Sequence, residues 1–361
     1  MKKLAFGFMR LPLLDKEDNT SIDIELCKKM VDYFIEKGFT YFDTAWMYCG
    51  FKSEEAIKNA LTSRYPRDAY TLATKLHCNY IKSLEDRDVV FNEQLRKTGV
   101  SYFDYYLLHC VLRDNYGIYN EYQCFEWLKE KKEQGLVKHI GFSFHDDAEF
   151  LDQVLTEHPE IEFVQLQLNY LDWNDTNIQS RLCYEVALKH NVDIFVMEPV
   201  KGGRLANVPG DVEQMFKDYN PDASVASWAI RYVASLKNVK FVLSGMSNFE
   251  QVYDNISFMS DFKTMNEEEL SIVEKARDML IKHSLIACTK CEYCLDGCPS
   301  QINIPKLFEL YNEDKNGISK KDEFNKINNI DNCIECGQCM STCPQHLEII
   351  DLLKTVKKHF Q

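Results

Sequence analysis

Short apolar runs alternate with longer stretches of helical period from Leu4 to about Gly245. The runs that predict strands are residues 4–11, 40–43, 70–74, 105–108, 139–143, 163–168, 194–197 and 240–244. Each is short enough for a strand, and the segments between them are long enough for helices. Between the first two, Cys27, Met30, Val31, Phe34 and Ile35 recur on one helix face. Thr20 or Ser21 can cap that helix and Gly38 can close it. Eight strands alternating with helices in roughly 250 residues is what a (β/α)8 TIM barrel requires. The competing arrangement, an open doubly wound sheet, normally carries G-x-G-x-x-G after a strand, and none follows any of these runs. The barrel is assigned to residues 1–265.

Beyond it, Asn266, Glu267, Glu268 and Glu269 form a capping-box sequence. They open a connecting helix over residues 266–284 that ends near His283. Residues 285–361 make a second, mostly helical domain, with a polar connector at 299–332 and a closing amphipathic helix at 347–360.

Composition narrows the partners. The net charge is −14, and no cluster of Lys and Arg could hold a phosphate backbone, so no nucleic acid is expected. No apolar stretch approaches the ~18 residues of a membrane span. With no leader visible at the start, the chain reads as cytoplasmic, without a membrane partner. Fourteen cysteines in a chain of this length indicate reduced thiols and metal ligation rather than a disulfide scaffold.

Eight of those cysteines repeat one spacing. Cys288, Cys291, Cys294 and Cys298 precede Pro299, and Cys333, Cys336, Cys339 and Cys343 precede Pro344, so C-x2-C-x2-C-x3-C-P occurs twice. This is the ligand pattern of two [4Fe–4S] clusters. Structural zinc is the alternative, but it usually shows separated C-x2-C pairs. The module resembles a bacterial dicluster ferredoxin. That resemblance implies that the fourth cysteine of each motif serves the other cluster: Cys343 with Cys288, Cys291 and Cys294, and Cys298 with Cys333, Cys336 and Cys339. In the connector, Asn312, Asp314, Asn316, Gly317 and Glu323 fall at EF-hand spacing. With Asn at the first position and Ser319 at a place normally apolar, the stretch reads as a solvated turn.

Active sites of (β/α)8 barrels gather at the C-terminal strand ends. Asp43 ends the second predicted strand, Tyr48 follows, Lys75 ends the third and His109 the fourth. Together with the run Asp43-Thr44-Ala45-Trp46-Met47-Tyr48, Gly50, Ser53-Glu54, Gly141-Phe142-Ser143 and the Pro199-Val200-Lys201-Gly202-Gly203 loop, they make residues 1–260 resemble an aldo-keto reductase. The two modules together resemble an iron–sulfur-containing subgroup of that family. The resemblance implies Tyr48 as general acid, Lys75 as the charge that eases its ionisation, Asp43 as partner of Lys75, and His109 as the group orienting a carbonyl oxygen.

It further implies that Ser143 and Gln165 hold a nicotinamide carboxamide and that Gly202 and Gly203 admit a pyrophosphate. The adenosine end falls to Ser244, Gly245, Met246, Ser247 and Asn255. Three places depart from the family pattern. Phe144 replaces an asparagine, Met197 replaces an aromatic ring, and Gly245 with Gln251 replace the Lys and Arg that grip a 2′-phosphate. NADH or NADPH remains open, and the departures leave room for a flavin. The expected activity is therefore reduction of an aldehyde or ketone, or oxidation of an alcohol, with two clusters attached. A second reading is a flavin-containing enzyme passing electrons to the clusters and on to a protein such as a ferredoxin, and a third is a non-catalytic binding barrel. Cys27, Cys49, Cys78, Cys110, Cys124 and Cys183 read as core residues, and Trp46, Trp173 and His145 as candidates for a substrate wall.

Overall fold

The computed structural model describes residues 2–282, 285–315 and 318–361. Eight parallel strands close into a barrel in chain order: β1 (Leu4–Gly7), β2 (Tyr41–Asp43), β3 (Thr71–His77), β4 (Phe103–Val111), β5 (Val137–Phe144), β6 (Phe163–Gln167), β7 (Asp193–Met197) and β8 (Val239–Gly245). β8 returns to pair with β1 from Leu4↔Val242 to Gly7↔Gly245. The predicted (β/α)8 fold is what forms.

Strand edges differ from the pattern. β1 stops at Gly7 rather than at residue 11, because the chain then turns across the barrel mouth, with Phe8 N–H still donating to Asp43 C=O at 2.8 Å. β3 and β4 run past the expected ends to His77 and Val111, so Lys75 and His109 lie within strands. Polar residues in a strand's last turn break the apolar run, and the backbone pairing continues regardless.

Large rings fill the barrel interior. Tyr41, Tyr105, Phe163, Phe195 and Phe241 are all buried there, with centroid separations such as 4.2 Å for Tyr41–Phe241 and 4.4 Å for Phe163–Phe195. Such a packed interior leaves chemistry to the rim. The first helix, Ile24–Glu36, buries Cys27, Met30, Val31 and Phe34 as predicted, but its cap is Asp23, whose side chain accepts from Leu26 N–H. The helix Glu267–Lys282 lies against helices Gly210–Tyr219 and Val225–Ala234, with Ala276 and Leu280 buried beside Phe216 and Trp228. Arg231 pairs with Glu269 at 2.7 Å, and Asn266 and Glu269 complete the capping box. The expected end at His283 lies outside the described residues.

Residues 286–360 build a separate apolar core around Leu307, Phe308, Phe324, Leu353 and Val356. Helices Ile304–Lys315 and Ile349–Phe360 are its frame. At the suspected EF-hand spacing, the carboxylates are already paired: Asp314 with His359 at 2.8 Å, and Glu323 with Lys306 at 3.1 Å. Asn312 holds both backbone groups of Ile286, and Asn316 and Gly317 lie outside the described residues. Among the described residues no helix is long and apolar enough to cross a membrane.

Candidate active site

The four predicted catalytic residues converge at the C-terminal rim. Lys75 is fully buried, pairs with the buried Asp43, and donates to Thr44 C=O at 2.8 Å. Its ammonium stands 4.9 Å from the Tyr48 ring centroid. Tyr48 meets the His109 ring edge-on at 5.6 Å. Behind Lys75, Thr44 Oγ bonds Ser53 Oγ at 2.7 Å, and Thr74 Oγ and Gln94 Nε2 both donate to Glu54 at 2.8 Å. The Ser53-Glu54 pair thus braces the ends of β2 and β3.

His109 is aimed by an irregularity. The β4–β5 register slips between Leu108 and Val111, and Cys110 adopts a φ of 60° there. A bulge of this kind redirects the neighbouring side chain. Ser143 stabilises it, its Oγ accepting from Cys110 N–H at 2.7 Å, while the Tyr119 hydroxyl donates to His109 C=O at 2.6 Å.

Burial dominates the electrostatics. It pushes Asp43 up and Lys75 down, each restrained by the other's charge. Burial, then the charge of Asp43, holds Tyr48 well above its ordinary value, and burial with Lys75 holds His109 well below its own. The site therefore presents a protonated tyrosine and a neutral imidazole.

The neutral His109 yields a measurable consequence. The unfolded chain takes up a proton there below about 6.5 and the folded chain does not, so stability falls as pH drops through that value. The slope is up to about 1.4 kcal/mol per pH unit for this one group. His109→Gln is expected to flatten the fall between pH of about 6.5 and 5, followed as the urea midpoint. A slope equal to wild type would assign the effect elsewhere.

Beside the tetrad, Ser143 and Gln165 are buried, and Gln165 Oε1 has no partner. Met197 sits next to it, its sulfur 3.6 Å from Gln165 Nε2. Past the ends of β7 and β8 lies a cleft of ≈ 280 Å³, lined by Gly202, Gly203, Ser244, Gly245, Ser247 and Asn255 among others. Asn255 Nδ2 donates to Ser244 Oγ at 3.0 Å on its floor. Met246 departs from expectation: it is fully buried in the barrel core and does not line the cleft. Gly202 departs too. It adopts a φ of 62°, and a Cβ there would lie 2.6 Å from Thr289 C=O, so its close approach serves the second domain's backbone.

Two residues of this region escaped the sequence reading. Arg10 crosses Gly245, where a Cβ would meet its side chain at 3.2 Å, and donates to Thr289 C=O at 2.5 Å. Glu198 follows β7 with a φ of 55°, one carboxylate oxygen unpartnered and Arg10 3.9 Å away. An ionisable group just past a strand end was signal enough for Glu198. Arg10 had none, since its place depends on where the β1 turn crosses the mouth.

The cysteine-bearing domain lies over this rim. Gln345 exchanges hydrogen bonds with Gln167 at 2.8 and 3.0 Å and accepts from Lys201 at 3.0 Å. Lys201 is itself paired with the buried Asp172. Asn19 donates to Glu292 at 3.3 Å, and His346 Nε2 meets His145 C=O at 3.0 Å. Tyr293 reaches into the tetrad, its hydroxyl 3.5 Å from His109 Nε2. Trp46 packs under Lys97 at 4.3 Å, and Trp173 turns away against Tyr184 and Tyr232.

Two cavities hold the eight motif cysteines. Cys288, Cys291, Cys294 and Cys343 line one, on the barrel side, and Cys298, Cys333, Cys336 and Cys339 line the other. Backbone N–H groups of Lys290 and Ile302 donate to Cys288 and Cys298 sulfurs at 3.4 Å. Such donors suit thiolate ligands of a cluster, whose charge they offset. The other six cysteines are buried, and burial pushes their thiols up, to about 12 for Cys27, Cys110, Cys124 and Cys183 and about 11 for Cys49 and Cys78. They are core residues, inert at neutral pH.

A closed (β/α)8 barrel with a cysteine-bearing domain over its rim is the class these features define. Residues 3–278 match the aldo/keto reductase family and residues 287–348 match the 4Fe-4S dicluster domain; the chain belongs to the aldo/keto reductase family and is an oxidoreductase of that type. It is similar to the uncharacterized oxidoreductase YqkF of Bacillus subtilis (strain 168), 22% identical over an alignment of 296 positions that covers 72% of this chain and 89% of that protein. Among solved structures it resembles the holo form of aldo-keto reductase AKR11C1 from Bacillus halodurans, with a TM-score of 0.61, 22% identity and coverage of 76% of this chain and 91% of that one. An aldo-keto reductase from Klebsiella pneumoniae in complex with NADPH gives 0.59, 18%, 76% and 90%.

Proposed function

We propose that the barrel reduces the carbonyl of a small aldehyde or ketone, or oxidises the alcohol in reverse, and that the appended domain holds two [4Fe–4S] clusters. The observation that carries the reading is the buried set of Asp43, Tyr48, Lys75 and His109 gathered at one point of the rim. Ser143, Gln165 and the cleft residues would hold an NADH or NADPH, which would supply hydride for the carbonyl carbon. The chain's own part is the proton: Tyr48, held protonated by burial, gives it to the oxygen that becomes the alcohol. Neutral His109 orients that oxygen through Nε2, and Lys75, fixed by Asp43 and Thr44 C=O, keeps its ammonium 4.9 Å from the Tyr48 ring centroid.

The residues present fit a nicotinamide nucleotide. The orphaned Gln165 Oε1 can accept from a carboxamide, and Ser143 lies beside it. Gly203, Ser244, Gly245, Ser247 and Asn255 offer the open cleft to the remainder. Arg10 supplies a cation over Gly245, where the family's lysine is missing. The NADPH carried by the Klebsiella pneumoniae neighbour supports a nicotinamide nucleotide, and nothing supports the flavin alternative. The cluster cavities fit cubanes by their donor sets, and an electron-transfer protein such as a ferredoxin is the partner class that single-electron carriers would serve. Anaerobically purified holoenzyme mixed with a short-chain aldehyde is expected to consume NADH or NADPH at a rate that scales with enzyme. Absence of turnover with both nucleotides across a panel of aldehydes, ketones and alcohols would overturn the reading.

A further inference from the structure

Tyr293 lies in the iron–sulfur domain by sequence and in the barrel site by position. It stands between Cys291 and Cys294, at the start of the short helix Tyr293–Asp296. Its hydroxyl is 3.5 Å from His109 Nε2, and the rings meet edge-on at 6.5 Å. Tyr48 meets the same His109 ring edge-on at 5.6 Å. Of the two groups assigned to hold and protonate a carbonyl oxygen, His109 therefore faces the Tyr293 hydroxyl and Tyr48 packs on the same imidazole.

The segment that carries this hydroxyl is tied down at several points. Thr289, four residues earlier, packs its backbone on Gly202 and accepts from Arg10. Glu292, the preceding residue, is tied to Asn19 at 3.3 Å. Thr342 Oγ donates to Tyr293 C=O at 3.5 Å, and Gln345 fastens the second cysteine motif to Gln167 and Lys201. A phenol fixed this way points at one spot with little rotational freedom to lose, the condition under which a hydrogen-bond donor stabilises a developing oxyanion.

We infer that Tyr293 is part of the substrate-oxygen site, a hydroxyl delivered by the iron–sulfur domain that binds the carbonyl oxygen together with Tyr48 and His109. The inference rests on the reading of the tetrad given above. It makes the docked domain a component of the carbonyl site, so the second domain contributes to reduction through geometry as well as through any electrons it carries.

The test uses Tyr293→Phe holoenzyme, with iron content and visible cluster absorption matched to wild type. Phe keeps the ring packing against His109 and removes only the hydroxyl. The expected result is a fall in kcat/KM for a short aldehyde of about 10²-fold, the usual cost of one oxyanion donor. Acetate, a non-reacting mimic of the substrate oxygen, is expected to bind the nucleotide-loaded variant several-fold more weakly in a calorimetric titration. Wild-type kcat/KM or wild-type acetate affinity in this variant overturns the inference. Turnover that survives Tyr48→Phe would instead overturn the tetrad reading, and loss of turnover in Tyr48→Phe alone, with Tyr293→Phe unaffected, would overturn only the role of Tyr293.

Discussion

Tyr48→Phe is expected to lose carbonyl reduction while binding the nicotinamide nucleotide as tightly as wild type. Phe retains the ring that the Lys75 ammonium faces at 4.9 Å, so the packing beneath the site persists. What disappears is the proton that must reach the oxygen as hydride reaches carbon. Without it the product is an alkoxide in a site where burial penalises charge. General acid catalysis contributes roughly 10²–10⁴-fold, about 3–5 kcal/mol of barrier. Nucleotide affinity by fluorescence titration and single-turnover nucleotide oxidation by stopped flow separate the two effects. A variant that turns over within a few-fold of wild type removes Tyr48 from the chemistry.

The second large effect concerns the clusters. Wild-type protein is expected to contain about eight iron atoms and eight acid-labile sulfides. Because Cys343 shares its cavity with Cys288, Cys291 and Cys294, Cys291→Ser and Cys343→Ser strike the same cluster. Each single variant should lose about four iron atoms, and the double variant should lose no more than either single one. Were each motif to ligate its own cluster, the two substitutions would strike different clusters and the double variant would lose nearly all its iron. Iron and sulfide analysis on anaerobic samples decides between these outcomes.

The barrel was legible because its signals are local. Each strand carries its own apolar run, and the first helix shows its buried face in the spacing of Cys27, Met30, Val31 and Phe34. Asp43, Tyr48, Lys75 and His109 were legible for a similar reason, each standing near a strand end. Edges were harder: His109 breaks the apolar run of β4, yet the strand continues to Val111 around a bulge. Docking was not legible at all. Nothing in Cys291-Glu292-Tyr293-Cys294 says that the tyrosine faces His109, and nothing in the Val200-Lys201-Gly202 loop says that Gly202 lies against Thr289. Those facts belong to the relative placement of two surfaces, which periodicity does not encode.

The seam of Gln167, Gln345, Lys201 and Asp172 carries one more consequence. The two halves of the chain keep separate apolar cores, and the contacts between them include the hydrogen bonds that Gln345 makes with Gln167 and Lys201. When an oily interface parts, it leaves sticky faces that aggregate; when this seam parts, each of its groups regains water. Where this seam forms the contact, separating the two halves would expose amides and charged groups rather than an apolar face.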